Sequence, residues 1–258
     1  MSKKMSDFPI KIELLVHDLK VPISVIDAGA KSLLNRQDVY GPLTEKQCKV
    51  INRIIRNTLT TQRLVNDILE LGRSREGVMN CCEFSVDSLV ISVLVETFDL
   101  FDPAVAEAIR KTHSYDELVR AVQTKGIQLC FDHTTWEKSV CLDQTKVKQI
   151  LRNLVTNAFK HRSTFINISG NADVESLTFI VKDDGRGIPK ADHENIFKSY
   201  FTHGGSMDST IESHGLGLAG VMVLLKDMGG ELNLISEDGD GARFIVKIPL
   251  QPHGTQTV

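Results

Sequence analysis

An imidazole stands beside a carboxylate in the stretch His17-Asp18-Leu19-Lys20-Val21-Pro22. A neutral imidazole is a good nucleophile near pH 7, because its unperturbed pKa lies close by. To attack the phosphorus of a phosphoryl donor it must present one free nitrogen and keep the other protonated and oriented. Asp18 can accept that N–H and act as general base. Lys20 brings positive charge near an incoming phosphoryl group. A histidine alone on a helix is more often structural or merely solvated, and that is the expectation for His113, His133, His193 and His253.

Four later segments carry groups suited to a polyanion and a purine. Asn153 and Asn157 lie four residues apart and so share one helix face. An amide oxygen is a hard ligand that can join phosphate oxygens around Mg²⁺. Lys160 and His161, one turn on, are placed to touch phosphates. Asp183 closes the apolar run Phe179-Ile180-Val181 and meets a turn at Gly185 and Gly187. There a carboxylate can accept from an adenine amino group while glycine lets backbone approach closely. Gly215-Leu216-Gly217-Leu218 opens a helical stretch whose free N–H groups and dipole favour phosphate. No Gly-Lys-Ser/Thr follows, so it is not a Walker loop. Last come Gly229-Gly230 and Gly239-Asp240-Gly241.

Two kinds of scaffold must position these groups. From residue 9 to about 36, Ile12, Leu15, Leu19, Pro22 or Ile23, Ile26, Ala30 and Leu33 form a seam with steps of three and four, the pattern of a helix burying one face. Pro22 is expected to bend it. A break is expected at Gln37 to Pro42, punctuated by Tyr40-Gly41-Pro42. A second helix spans about Thr44 to Leu71, with seam Cys48, Ile51, Ile55, Thr58, Gln62, Val65 and Leu69, leaving at Gly72. The antiparallel hairpin brings the level of Arg63 to His17, where Thr58, Thr60, Thr61 and Gln62 interrupt the seam with polar groups. One hairpin leaves apolar surface uncovered, so two should pair as a four-helix bundle.

Beyond Glu76, strands at Ile127 to Phe131, Ser139 to Leu142, Phe165 to Ser169, Leu177 to Lys182, Glu231 to Ser236 and Ala242 to Pro249 alternate with helices. The helices are Gln144 to His161, capped by Asp143, and Leu216 to Met228, ended by Gly229. This mixture reads as an α/β sandwich. Between Phe84 and Gly126, and chiefly over 98–124, Asp102-Pro103 and the capping box Ser114-x-x-Glu117 mark two short helices. These either dock a partner or extend the core.

The 258 residues suffice for one large or two modest domains. A net charge of −3 gives no reason to expect nucleic acid. The longest apolar runs, such as Leu89 to Val95, are too short to span a bilayer. The start resembles no signal peptide, so the chain is expected in the cytoplasm. Five cysteines (Cys48, Cys81, Cys82, Cys130, Cys141) show no CxxC pair, and most are expected to be small buried thiols. About eight residues precede the first helix, so any stimulus is expected from a separate sensor module or upstream protein.

In this order the five segments resemble the histidine kinases of two-component signalling over nearly the whole chain. The downstream four are similar to the GHKL ATP-binding fold shared with type II topoisomerases, mismatch-repair ATPases and one class of heat-shock chaperone. The resemblance implies an α+β chain of two domains. Residues 1–76 would be a helical hairpin for dimerisation and histidine phosphotransfer, and residues 77–258 a catalytic, ATP-binding α/β sandwich. His17 would be the phosphoacceptor, assisted by Asp18 and Lys20. Asn157 would hold Mg²⁺ and Asn153 would lie near the γ-phosphate. Asp183, rather than Asp184, would contact adenine. Lys160, His161, Gly185, Gly187, Gly215, Leu216, Gly217 and Leu218 would complete the ATP site. Residues 198–214 would form a lid, with Phe197 and Tyr200 at its start.

Two positions depart from the family pattern. Val21 stands where members that dephosphorylate their partner usually carry Thr or Asn, and Ser213-His214 stands where the glycine box usually begins. The expected activity is an ATP-dependent histidine kinase, homodimeric, passing phosphate to an aspartate in a response regulator receiver domain, with weak phosphatase action. The alternatives are a non-catalytic nucleotide-binding signalling scaffold, and an ATPase-gated clamp, which leaves the His17 hairpin unexplained.

Overall fold

The computed structural model describes residues 12–75, 79–197 and 217–250. Within the hairpin, the side chains of 12–15, 17, 63 and 67–75 fall outside the described set. By its internal contacts the chain forms two compact units, Met1–Glu76 and Gly77–Val258.

In the first unit, helix α1 (Ile12–Asn35) runs unbroken through Pro22. The break falls at Arg36, not across Gln37 to Pro42, because Gln37–Tyr40 forms a further helical turn, α2. Gly41, at φ +87°, then reverses the chain into a conformation that L side chains rarely adopt. Helix α3 (Glu45–Arg75) starts on a capping box. The Thr44 hydroxyl accepts from the Gln47 amide at 3.3 Å and Gln47 Oε1 accepts from the Thr44 N–H at 2.8 Å. The helix also continues past Gly72, where an exit was expected; one interior glycine costs only about 1 kcal/mol.

The seams differ from expectation in an informative way. Buried positions are Val16, Ile23 and Ala30 on α1 and Ile51, Thr58 and Val65 on α3, each set spaced by seven. Leu19, Ile26 and Leu33 are 49%, 51% and 38% exposed. One heptad stripe closes the hairpin, and a second stripe on α1 remains at the surface. The Thr58, Thr60 and Thr61 hydroxyls donate to carbonyls three or four residues back. Those three hydroxyls are therefore satisfied by their own helix.

The second unit holds a five-stranded sheet ordered β2-β4-β5-β7-β6 and a separate ladder of β1 with β3. The strands are β1 (Cys82–Ser85), β2 (Ile127–Cys130), β3 (Ser139–Leu142), β4 (Ile166–Ala172), β5 (Ser176–Asp183), β6 (Glu231–Ser236) and β7 (Ala242–Pro249). Only β2 with β4 is parallel. Strand β1, the helix α4 (Val86–Phe101) and the short helix α7 (His133–Trp136) were not legible in the sequence pattern. Helices α5 (Pro103–Arg110) and α6 (Tyr115–Gln123) begin where Pro103 and the Ser114 cap place them. Their Val105, Ala106, Ile109, Leu118 and Val122 enter the common core, so this region extends the core.

Helix α8 (Gln144–His161), capped by the Asp143 carboxylate, lays Val147, Ile150, Leu151, Leu154 and Val155 on the sheet's inner face. Helix α9 (Gly217–Asp227) packs beside it. It ends at Gly229, φ +65°, with the Gly230 N–H donating to the Leu225 carbonyl at 2.8 Å. Cys48 is half-buried and the other four cysteines are exposed, contrary to expectation. Cys141 alternates outward from buried Val140 and Leu142 on β3, and Cys130 lies on an edge strand.

Candidate functional site

The candidate groups of the second unit gather at one end of α8. Asn153 Nδ2 donates to the Gly217 carbonyl at 3.3 Å. A Cβ built on Gly217 would lie 3.7 Å from the Asn157 amide. The two amides therefore meet the described start of α9 at Gly217. Leu218, half-buried, packs against the core behind them. Gly215, Leu216 and the expected lid, 198–214 with Tyr200, lie outside the described residues; Phe197 ends a short 3₁₀ turn, half-buried against the core.

At the C-terminal end of α8, His161 meets the glycine turn after β5. A Cβ on Gly185 would sit 2.2 Å from the His161 carbonyl oxygen, which explains why glycine stands there. Asp183, 4% exposed, accepts from the Gly185 N–H at 2.9 Å. Burial raises its pKa, and N–H groups of Gly185 and Ala242 and the nearby His161 work against that rise. Gly187 and Gly241 have φ of +73° and +72°. A Cβ on Gly241 would collide with the Asp183 carbonyl oxygen, and one on Gly187 with that of Glu237. The buried Ser236 hydroxyl, accepting from the Ile188 N–H at 2.8 Å and donating to the Gly241 carbonyl at 2.6 Å, locks the two turns together. No sequence pattern had marked Ser236.

Partial burial lowers the His161 pKa, with Arg186 and Lys160 adding to the effect and Asp183 opposing it. Asp184 does different work from its neighbour. Its carboxylate accepts from the N–H groups of Ser163, Thr164 and Phe165, each at 3.0 Å, and from the Thr164 hydroxyl. Burial pushes its pKa up, but these bonds outweigh it and hold the group at about 2. Asp184 thus ties down the loop after α8.

In the first unit, His17 lies on α1, but its side chain is outside the described set. Asp18 is exposed and Lys20 half-buried on the same helix. Val21 is 54% exposed and Val25 66%. Together with Lys20, Ser24 and Ala28 they line a shallow concavity on α1.

Residues 13–77 match the His Kinase A (phospho-acceptor) domain, and residues 142–252 match the histidine kinase-, DNA gyrase B- and HSP90-like ATPase. The chain belongs to the two-component sensor histidine kinases. Among curated relatives it is 30% identical over 249 residues to the hybrid signal transduction protein dokA of Dictyostelium discoideum, covering 91% of this chain and 13% of that one. It shares its fold with full-length ShkA solved with AMPPNP (TM-score 0.60, 23% identity, 93% of this chain and 46% of that one). The same holds for histidine kinase ThkA solved with response regulator protein TrrA (TM-score 0.52, 22% identity, 92% and 61%). The chain spans 13% to 38% of the length of the leading curated relatives.

Among the described residues no helix is long and apolar enough to cross a membrane. Nor do any three His, Cys, Asp or Glu converge as a metal site.

Proposed function

We propose that this chain is the catalytic part of a homodimeric histidine kinase. It transfers the γ-phosphoryl group of Mg-ATP to His17 and then to an aspartate of a response regulator receiver domain. The observation that carries the reading is the convergence of Asn153, Asn157, His161, Asp183, Gly185 and Gly217 at one end of α8, downstream of a hairpin that bears His17-Asp18. Asp183 accepts from the adenine amino group. Lys160 and His161 lie toward the phosphates, with the turn of α9 opposite. Gly215 and Leu216, which precede α9 in the sequence, complete the set of residues assigned to the nucleotide. Asn157 supplies an oxygen to Mg²⁺ carried by the nucleotide, and Asn153 orients the γ-phosphate.

Asp18 takes up the N–H of His17, so the free imidazole nitrogen attacks phosphorus while ADP leaves. Lys20 offsets the charge that develops. The work is positioning and charge neutralisation. The resulting phosphoramidate is reactive enough to drive transfer to a carboxylate.

The scaffold reading predicts bound ATP and no label; the clamp reading predicts released phosphate and no label. Transfer is the test of the kinase reading. When the phosphorylated chain meets a purified receiver domain, label should leave the chain and appear on the receiver as an aspartyl phosphate. Label that stays on the chain with every receiver offered overturns onward transfer.

Val21 carries no hydrogen-bonding group to orient a water, so dephosphorylation of the regulator should be weak. Val21→Thr should speed the decay of phosphorylated receiver several-fold. An unchanged decay rate removes the role assigned to that position.

A further inference from the structure

The face of the five-stranded sheet opposite α8 carries side chains that the kinase reading does not use. Along β5 and β7 the inward positions (Phe179, Val181, Phe244, Val246) are buried, on β6 Leu232 and Leu234 are half-buried, and the alternate positions point outward. The outward residues form three cross-strand rows. Ile180 pairs with Ile245, which pairs with Asn233; Lys182 pairs with Arg243, which pairs with Ile235; Thr178 pairs with Lys247, which pairs with Glu231. Arg243, Lys247 and Ile235 are exposed, and Lys182, Ile180 and Ile245 are half-buried. Ile235, near the end of the edge strand β6, is 52% exposed.

Two features of this face cost stability. Lys182 and Arg243 stand directly opposite one another on neighbouring strands, and like charges so placed repel. Three isoleucines meet water beside them. Among the described residues no carboxylate ion-pairs with Lys182 or Arg243, on a chain whose net charge is −3, whereas Lys247 faces Glu231 across the ladder and acts electrostatically on Asp173. A basic island with an apolar centre, on an otherwise acidic molecule, complements a partner of opposite pattern.

We propose that this face docks an acidic amphipathic segment of another protein. Carboxylates of the segment would meet Lys182 with Arg243 at one end and Lys247 at the other, about 13 Å apart along β7. Between them an apolar side chain would cover Ile180 and Ile245. Charge pairing then relieves the Lys182–Arg243 repulsion, and burial of the isoleucines adds the non-polar part. An anionic membrane is the weaker fit, because Ile180 and Ile245 are half-buried between the charged rows. The proposal does not rest on the kinase reading, since the nucleotide groups lie at the end of α8 on the other side of the sheet.

The test uses the full chain and a fluorescein-labelled peptide repeating Glu-Ser-Leu-Ser, which spaces glutamates four residues apart around leucine. Fluorescence anisotropy should show saturable binding. Lys182→Glu with Arg243→Glu should weaken it at least tenfold, and so should Ile180→Ser with Ile245→Ser. The same charge change made elsewhere, Lys49→Glu with Lys111→Glu, should leave it within about twofold. Replacing leucine by serine in the peptide should cost as much as the isoleucine changes. ATP binding measured on each variant reports that the unit is folded. Absence of saturable binding to the folded wild-type chain overturns the proposal, as does equal loss in the control variant. Vesicles of phosphatidylglycerol that bind more tightly than the peptide, with the same dependence on Lys182 and Arg243, would also overturn it, by making the face a lipid site.

Discussion

Two adjacent carboxylates, Asp183 and Asp184, divide the labour of the glycine turn. The first is buried at a strand end, with its pKa raised by burial; the second is held at about 2 because four donors outweigh its own burial. Substituting each separates site from scaffold. Asp183→Asn should lose ATP affinity at least a hundredfold while thermal unfolding barely moves. Asp184→Asn should keep most nucleotide affinity and lose stability on the order of 1–2 kcal/mol at neutral pH, after discounting solvent screening. The sign follows from the depressed pKa: the native advantage over the variant is complete above about pH 4 and disappears as pH falls toward 2. Denaturant titrations across that range read it directly. The family spacing singled out Asp183, and the hydrogen bonds that occupy Asp184 come from residues about twenty positions upstream. Such long-range partners leave no periodic trace in a sequence. Ser236 escaped notice on the same grounds.

At the scale of elements, an ion pair with one buried partner joins the start of α8 to the end of α9. Lys146, 1% exposed near the start of α8, meets Asp227 at the end of α9 at 2.5 Å. The pair fixes the far end of a helix whose first turn faces the Asn153 and Asn157 amides. Lys146→Met leaves Asp227 without its partner and should destabilise the unit by about 3 kcal/mol. Adding Asp227→Leu should restore much of that loss, as measured by urea unfolding. Elements with clear signals were legible: α8 by its Asp143 cap, α6 by its capping box, β3, β6 and β7 by alternation. Helix α4 was missed although Val86, Leu89, Val90, Val93, Leu94, Thr97 and Phe98 follow the helical step. Ile91 and Val95 also face partly outward, and their apolar side chains blurred the period. Strand β1, four residues long and paired only with β3, offered too short a pattern to read.

For the molecule as a whole, the hairpin's exposed stripe bears on assembly. Leu19, Ile26 and Leu33 repeat every seven residues and stay at the surface of a single chain. A second hairpin would cover them, giving the four-helix bundle that the seams suggested. Leu19→Asp with Ile26→Asp should convert a dimer into monomers in sedimentation analysis while leaving ATP affinity unchanged. The sequence led to one seam per helix, whereas the hairpin divides the work between two stripes. That division depends on which stripe the antiparallel partner takes, which apolar spacing alone does not decide. The central claim concerns chemistry between the two units, and one measurement reaches it most directly. Wild-type chain and His17→Ala are incubated with Mg²⁺ and γ-labelled ATP, and the protein-bound label is tested for stability in acid and base. The account predicts an acid-labile, base-stable label on the wild type and none on the variant, with equal ATP binding by both. A wild-type chain that binds ATP yet takes up no label, or a variant labelled as fully as the wild type, would contradict it.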